Sequence, residues 1–309
     1  MKTSIIKENF SMNLCGFEDI TYENFDLSKV SSMRTGGKAE YAFFPENLKD
    51  FCALAERFED DSLLVAGNAS NLLFPDDAGH LSVVFTTKIC EIKKVSDSSV
   101  YASCGVQLTA LSNFASKESL SGLEFAFGIP GTVGGGVFMN AGAYGGEMAQ
   151  VIKSVTVYDM KNHTLYDFSN EMCDFSYRHS VFMENKNLLV LGATFELSKG
   201  DKKEIEELCK KNMTSRKEKQ PLEYPSCGSA FKRPQGYFAG KLIEDCGLKG
   251  FSVGGAQISE KHAGFVINRG GATSRDVREL MKKVTEKVYE KFDVTLCPEI
   301  EIIKEKVEK

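Results

Sequence analysis

Eight glycines fall between Gly128 and Gly146, in the run Gly128-Ile129-Pro130-Gly131-Thr132-Val133-Gly134-Gly135-Gly136-Val137-Phe138-Met139-Asn140-Ala141-Gly142-Ala143-Tyr144-Gly145-Gly146, which holds no charged side chain. Glycine lets the backbone take positive φ and come close to a ligand with no Cβ in the way. Successive N–H groups on such a loop can cradle phosphate oxygens. A single glycine would mean a tight turn; this density without charge argues for a nucleotide-binding loop. The chain contains no Gly-x-x-x-x-Gly-Lys-Ser/Thr, which excludes a P-loop. It also lacks Gly-x-Gly-x-x-Gly, so nothing supports a Rossmann dinucleotide fold. The cradle has to belong to another architecture.

A chain of 309 residues can carry two or three packed units, and its 42% hydrophobic and 26% charged residues are those of an ordinary globular protein. The net charge of −5 is spread without a basic stripe, so no nucleic-acid partner is expected. An acidic substrate would need a few placed cations and not the field of the whole protein. Met1 to Phe10 does not read as a secretory signal, and no apolar run is long enough to cross a bilayer as a helix. The expectation is a cytoplasmic monomer without a membrane partner. Nine cysteines and four histidines are dispersed without Cys-x-x-Cys, which gives no metal site. Most of the cysteines are expected to be core residues.

Three units are expected, over 1–87, 88–198 and 199–309. In the first, Glu46 to Phe58 has Leu48, Phe51, Cys52, Ala55 and Phe58 at helical spacing, followed by a strand over Leu63 to Ala66. The second reads as strands over Val83 to Phe85, Ser99 to Ala102, Ser154 to Tyr158 and Leu188 to Leu191, together with the glycine loop. The third opens at Lys199-Gly200-Asp201. It continues with a helix over Lys203 to Lys211, with Ile205 and Leu208 inward, and another over Tyr237 to Cys246. The clearest helix is Arg275 to Phe292, whose stripe is Val277, Leu280, Met281, Val284 and Val288, with Thr273 or Ser274 as its cap. The mixture is α+β.

Seven blocks in order carry a resemblance. They are Arg34-Thr35-Gly36-Gly37; Gly67-Asn68-Ala69-Ser70-Asn71-Leu72-Leu73; Gly122-Leu123-Glu124-Phe125 running into Gly128 to Gly135; Phe175-Ser176-Tyr177-Arg178; Ser226 to Pro234; Lys261 to Asn268; and Pro298-Glu299-Ile300. Together they resemble the UDP-N-acetylenolpyruvoylglucosamine reductase family, in its short form without the loop insertion that carries a tyrosine over the substrate. The resemblance implies a vanillyl-alcohol-oxidase-like (PCMH-type) FAD-binding domain in two subdomains and a C-terminal α+β substrate domain. It implies non-covalent FAD, NADPH as reductant, and UDP-N-acetylglucosamine enolpyruvate as substrate in peptidoglycan precursor synthesis. The cofactor residues carried over are Arg34, Thr35, Gly36, Gly67, Asn68, Ala69, Ser70, Asn71, Gly128, Ile129, Pro130, Gly131, Thr132, Gly134, Gly135, Asn140, Ala141 and Gly142. Ala69 stands where the family's phosphate loop has a second glycine, a methyl expected to be tolerated at negative φ. Gly136 stands where alanine is common, which removes bulk without removing a contact.

The family's chemistry makes an enolate on the substrate, which needs preorganised donors where charge grows and an acid to protonate C2. The resemblance assigns Ser229 as that proton donor, with Arg178 and Glu299 as its catalytic partners. A planar guanidinium suits a carboxylate or enolate better than an ammonium does. Strand alternation would put Glu299 and Glu301 on one side and cannot choose between them. Beside an enolate, Glu299 has to be protonated, act through water, or orient another group. Tyr177, Lys219, Lys232, Arg233 and His262 are the candidate substrate binders, and movement of the third unit is expected to close the site. Two other readings stay open: a flavin oxidase of sugars or alcohols on the same fold, and a catalytically silent nucleotide-binding protein. The joint presence of Ser229, Arg178 and Glu299 argues against both.

Overall fold

A computed structural model describes residue 14, residues 16–58 and residues 63–305; the reading of Met1 to Phe10 lies outside the described residues. The chain is organised around three main sheets. In the first, strands run in the order Thr21–Asp26, Lys38–Phe43, Ser82–Phe85, Leu63–Ala66. The first pair is antiparallel and the other two pairings are parallel. Parallel pairing needs a crossover, and α1 (Leu48–Ala55) supplies one, burying Phe51, Leu54 and Ala55 against Phe43 and Val84. The helix starts later than Glu46 because Asn47 caps it, accepting from Asp50 N at 2.9 Å.

The second sheet is antiparallel throughout, in the order Thr164–Ser169, Ile152–Asp159, Leu188–Glu196, Ser99–Ser103, Ile92–Lys94. The strands expected over Ser99 to Ala102, Ser154 to Tyr158 and Leu188 to Leu191 are present here, while the one expected over Val83 to Phe85 belongs to the first sheet. The residues of α2 (Leu108–Lys117), α3 (Val133–Phe138) and α4 (Val181–Glu184) share one apolar core with this sheet.

One helix departs from its expected reading. α5 runs Lys202–Lys219, and Leu208 is 43% exposed instead of inward. The buried line is Ile205, Cys209, Asn212 and Arg216, a four-three-four spacing whose second half is polar. That polarity hides the last two turns from an apolar-stripe search. Asp201 caps α5 through Lys203 N and Glu204 N. The helix lies on α2 and on residues Glu124–Ala126, with Asn212 Nδ2 donating to Glu124 O at 3.0 Å.

The third sheet has the order Ser226–Ser229, Phe265–Asn268, Ala256–Ile258, Ser252–Val253. Its core includes residues of α6 (Ala239–Asp245) and α7 (Ser274–Phe292). All five expected stripe residues of α7 are buried. Thr273 is the cap: its hydroxyl accepts from Asp276 N, and the Asp276 carboxylate accepts from Thr273 N, each at 3.0 Å. Asp76 of the first unit also accepts from Ser274 N and Arg275 N, at 2.7 and 2.9 Å. A short parallel pairing of Leu72–Leu73 with Glu301–Ile302 adds a second tie between the chain's ends. Among the described cysteines, Cys104, Cys173, Cys209 and Cys227 are buried while Cys90 and Cys297 are exposed, so the expected core placement holds for about half.

Candidate active site

Three loops from distant parts of the sequence meet beside the first sheet. Ser32 N donates to Ala69 O at 3.3 Å, and Asn68 Nδ2 donates to Pro130 O at 2.8 Å. These bonds draw together Arg34-Thr35-Gly36, Gly67 to Asn71, and Gly128 to Thr132. The approach at Gly67 admits no side chain, since a Cβ there would lie 2.1 Å from Thr132 Oγ1. Thr132 is itself committed, capping α3 by accepting from Gly135 N at 3.4 Å. Gly134 and Gly135 form the first turn of α3, and Asn140, Ala141 and Gly142 follow it. Asn140 is fully buried. Its amide donates to Ser176 O and accepts from Ala149 N, both at 2.9 Å, so it ties backbone to backbone.

Ala69 does not meet the condition of negative φ under which its methyl would be tolerated without strain, since its φ is +45°. Arg34, Tyr144 and Arg178 also take positive φ, at 55°, 53° and 54°. An L-residue pays roughly 1–2 kcal/mol for that conformation, so surrounding contacts must impose it.

Arg178 sits at the tip of a two-residue hairpin in which Ser176 and His179 exchange both backbone bonds at 3.2 Å. Positive φ at the second central residue is the geometry of a type II turn. The turn points Arg178 at two partners. Its Nε donates to Glu299 Oε1 at 2.6 Å, and its Nη2 donates to Gly142 O at 3.0 Å. The two side chains are 17% and 12% exposed.

Ser229 ends a strand whose register with Phe265–Asn268 shifts between Ser226 and Ser229, where Gly228 has φ +74°. A bulge of this kind re-aims the next side chain, and Ser229 is exposed. One residue on, Ala230 O accepts from Glu299 N at 2.9 Å, which sets Glu299 beside Ser229. The tail is not the continuous strand expected from alternation. Pro298 bridges Phe231, the chain bends at Ile300, and Glu301 lies exposed beyond the bend. Of the two glutamates, Glu299 lines the cavity at this site and Glu301 does not.

Tyr177, Arg178, Ser229, Arg233, His262 and Glu299 line one cavity of about 390 Å³. Tyr177 Oη accepts from Arg233 N at 3.2 Å, which ties the hairpin to the third unit. Burial pulls the pKa of His262 below the ordinary histidine value. Its Nδ1 accepts from Gly264 N at 3.1 Å, so the neutral ring carries its proton on Nε2. Lys219, exposed at the end of α5, and Lys232 do not line the cavity. Lys249, Lys261 and Phe238 do, although none was singled out from the sequence. Lys261 stands directly before His262 in one of the seven blocks, a signal that adjacency would have supplied. A cavity of similar volume beside α1, around Glu56 and His163, touches none of these loops.

The residues fit an FAD. The Thr35 hydroxyl is buried without a hydrogen-bond partner, the loops are uncharged from Gly128 to Gly146, and Gly67 keeps their approach free of side chains. Val65 and Phe138 stand exposed at 38% each, apolar surface of the sort a flavin ring covers.

Residues 39–168 match the FAD binding domain family, and residues 220–303 match the UDP-N-acetylenolpyruvoylglucosamine reductase C-terminal domain. Fold and site together define a PCMH-type flavoenzyme, an FAD-binding domain joined to an α+β domain around one cavity. The UDP-N-acetylenolpyruvoylglucosamine reductase of Lactobacillus helveticus is 45% identical over 91% of this chain and 94% of that protein. That of Caldicellulosiruptor bescii is 45% identical over 90% and 89%. The crystal structure of UDP-N-acetylenolpyruvylglucosamine reductase from Thermus caldophilus superposes with a TM-score of 0.78 at 31% identity, over 91% of this chain and 97% of that one. The chain belongs to the UDP-N-acetylenolpyruvoylglucosamine reductase family.

Proposed function

We propose that this chain reduces UDP-N-acetylglucosamine enolpyruvate to UDP-N-acetylmuramate with NADPH and FAD, for peptidoglycan precursor synthesis. The observation that carries this reading is the meeting of Arg178, Ser229 and Glu299 in one cavity, each from a different stretch of the chain. FAD, when bound, passes the reducing equivalents of NADPH to the substrate's enolpyruvyl double bond.

The protein's part follows from its side chains. Glu299 and Gly142 O hold two edges of the Arg178 guanidinium, leaving Nη1 free to meet the substrate carboxylate and the charge that grows on it. Paired at 2.6 Å, Glu299 acts by orienting Arg178, which spares the enolate a free negative neighbour. Ser229, on its bulge, donates the proton to C2. Arg233, Lys241, Lys249 and Lys261 line the cavity beside the carboxylate of Glu244, which pairs with Lys249 at 2.8 Å, so this wall carries an excess of cations suited to a diphosphate. Tyr177 and His262 line the cavity and complete the substrate-binding set, while Lys219 and Lys232, which do not line it, are left out of the set. The 1–87 and 88–198 units seat FAD and the 199–309 unit seats substrate, with α5 as a brace between them. Among the described residues no helix is long and apolar enough to cross a membrane. The enzyme acts as a cytoplasmic monomer without nucleic-acid or membrane partners.

Rapid mixing of Ser229→Ala with NADPH and then with substrate tests the assignment. Flavin reduction is expected to survive, while reoxidation by the enolpyruvyl substrate falls at least ~10²-fold, as for a lost general acid. Normal reoxidation would remove Ser229 from the mechanism. Flavin bleaching by a sugar alcohol and not by NADPH would favour an oxidase.

A further inference from the structure

Ser180 stands at a helix N-cap and does not cap its own helix. It precedes α4 with extended backbone, the place where a serine oxygen ordinarily accepts from the first N–H groups of the helix, yet it makes no such bond. Its hydroxyl donates to Phe138 O at 2.5 Å, and the residue is fully buried. Phe138 is the last residue of α3, so its carbonyl is one of those a helix leaves without an internal partner. The N–H groups of Met139, Asn140 and Ala141 turn back to the carbonyls of Gly135, Val137 and Gly136, and the Phe138 carbonyl takes Ser180.

What lies on either side of that bond gives it a use. α3 begins at its cap Thr132, in the cradle, and Ser180 directly follows the hairpin whose tip is Arg178. At the hairpin's other foot, Asn140 Nδ2 donates to Ser176 O at 2.9 Å. Both feet of the hairpin therefore stand on the carbonyl end of α3, at Phe138 and Asn140. The tip needs this support, because Arg178 takes φ +54°, a conformation that an L side chain holds only where its surroundings impose it. The two bonds exchanged by Ser176 and His179 close the hairpin, but they do not fix where its tip lies relative to α3. We propose that Ser180 is a positioning residue for Arg178: it moors the hairpin to α3 and so keeps the guanidinium within reach of Glu299, Gly142 O and the substrate carboxylate together. The proposal rests on the reductase reading. Ser180 does not line the cavity, so its influence on the reaction runs through Arg178.

Ser180→Ala, Arg178→Ala and the double variant, each loaded with FAD, are reduced with NADPH and then mixed with UDP-N-acetylglucosamine enolpyruvate. A misplacement of about 1 Å can slow a reaction about 10²-fold; with the Asn140 foot still holding, Ser180→Ala is expected to slow flavin reoxidation about tenfold. Reduction by NADPH should stay within about twofold of wild type, since Arg178 serves the substrate. The double variant should reoxidise within about twofold of Arg178→Ala, because a mooring has no effect once the side chain it places is gone. A helix-capping role alone would lower the melting point and leave reoxidation unchanged, or slow it by the same factor with and without Arg178. Reoxidation of Ser180→Ala within about twofold of wild type overturns the proposal, as does a further loss of about tenfold in the double variant. Should Ser180→Ala take up no FAD, Ser180→Cys decides by the same measure: its thiol is a weaker donor in nearly the same space, and a loss of at least about threefold is expected. Hydrogen exchange reads the mooring without any substrate. The amides of Ser176 and His179 should exchange at least about fivefold faster in Ser180→Ala than in wild type, and unchanged exchange there overturns the proposal as well. A wild-type enzyme that NADPH reduces and the enolpyruvyl substrate does not reoxidise would sink the reductase reading while the exchange result stands, so the two fail separately.

Discussion

Gly67→Ala puts one methyl into the tightest approach in the FAD cradle. The new Cβ would stand 2.1 Å from Thr132 Oγ1, 3.1 Å from its Cβ and 3.2 Å from its Cγ2. Thr132 cannot swing away freely, because it is 1% exposed and its hydroxyl caps α3 through Gly135 N. Overpacking of this kind costs about 1–3 kcal/mol. Surrendering the cap adds about 1 kcal/mol, so Gly67→Ala should destabilise the flavin-free protein by about 2–4 kcal/mol. Thr132→Ala alone should cost about 1 kcal/mol, as a lost cap. The double variant removes the atom that collides, so the two costs should fail to add by about 1–2 kcal/mol. The chain has no tryptophan, which makes far-ultraviolet circular dichroism through a urea titration the practical assay. FAD titration of the same four proteins reads the cradle: Gly67→Ala should bind weakly, with affinity partly restored in the double variant. Additive costs would show that Gly67 and Thr132 do not meet as described, and the convergence of the loops would have to be redrawn.

Three further outcomes follow from the same geometry. Ala69→Gly relieves about 1–2 kcal/mol of left-handed strain but adds about 0.5–1 kcal/mol of chain entropy. It should therefore raise stability by about 0.5–1 kcal/mol in urea. Asn71→Ala removes the bond from Asn71 Nδ2 to Glu299 O, 2.9 Å long, and should slow reoxidation by substrate at least about tenfold with little change in reduction by NADPH. His262 has a pKa lowered by burial, so below about pH 6.5 the unfolded chain takes its proton first. Stability from this group is whole above that pH and is lost as pH falls through the folded value, so the urea midpoint of His262→Gln should decline less steeply than that of wild type between about pH 7 and pH 5.

The α7 stripe was legible because its five apolar residues repeat with the helical period and a capping box precedes them. The α5 line was not, because Asn212 and Arg216 replace apolar residues in its last turns while still facing inward. A search for hydrophobic periodicity reads burial through hydrophobicity, and it misses a buried polar residue kept for a partner. The flavin loops announced themselves by glycine density, yet the sign of φ at Ala69 was beyond reach. Negative φ was the condition for an unstrained methyl there, and tertiary contacts impose the opposite. Nor could alternation choose between Glu299 and Glu301, since what separates them is the cavity, which Glu299 lines and Glu301 does not. Lys219 and Lys232 carry the right charge but do not line the cavity, where Lys249 and Lys261 stand instead.

The cofactor cradle and the catalytic trio are joined by hydrogen bonds that end on main-chain atoms, and this is why neither can be judged alone. Gly142 of the glycine segment accepts from Arg178 Nη2. Asn71, directly after Ser70 of the cradle, donates to Glu299 O and accepts from Glu301 N at 2.9 Å. Ala230, next to Ser229, accepts from Glu299 N. Arg178 and Glu299 are thus each one hydrogen bond away from a loop of the cradle, and Ser229 is the chain neighbour of a residue bonded to Glu299. A shift of a loop around FAD would pass to Arg178 and Glu299 through one hydrogen bond each, whereas substitutions at the lysines and arginine of the cavity wall, which the third unit carries, would alter substrate affinity first. The arrangement gives mutations a sorting rule. Changes in the 67–71 and 128–142 loops should move cofactor affinity and turnover together, and changes at Arg233, Lys249 or Lys261 should raise KM with turnover largely kept.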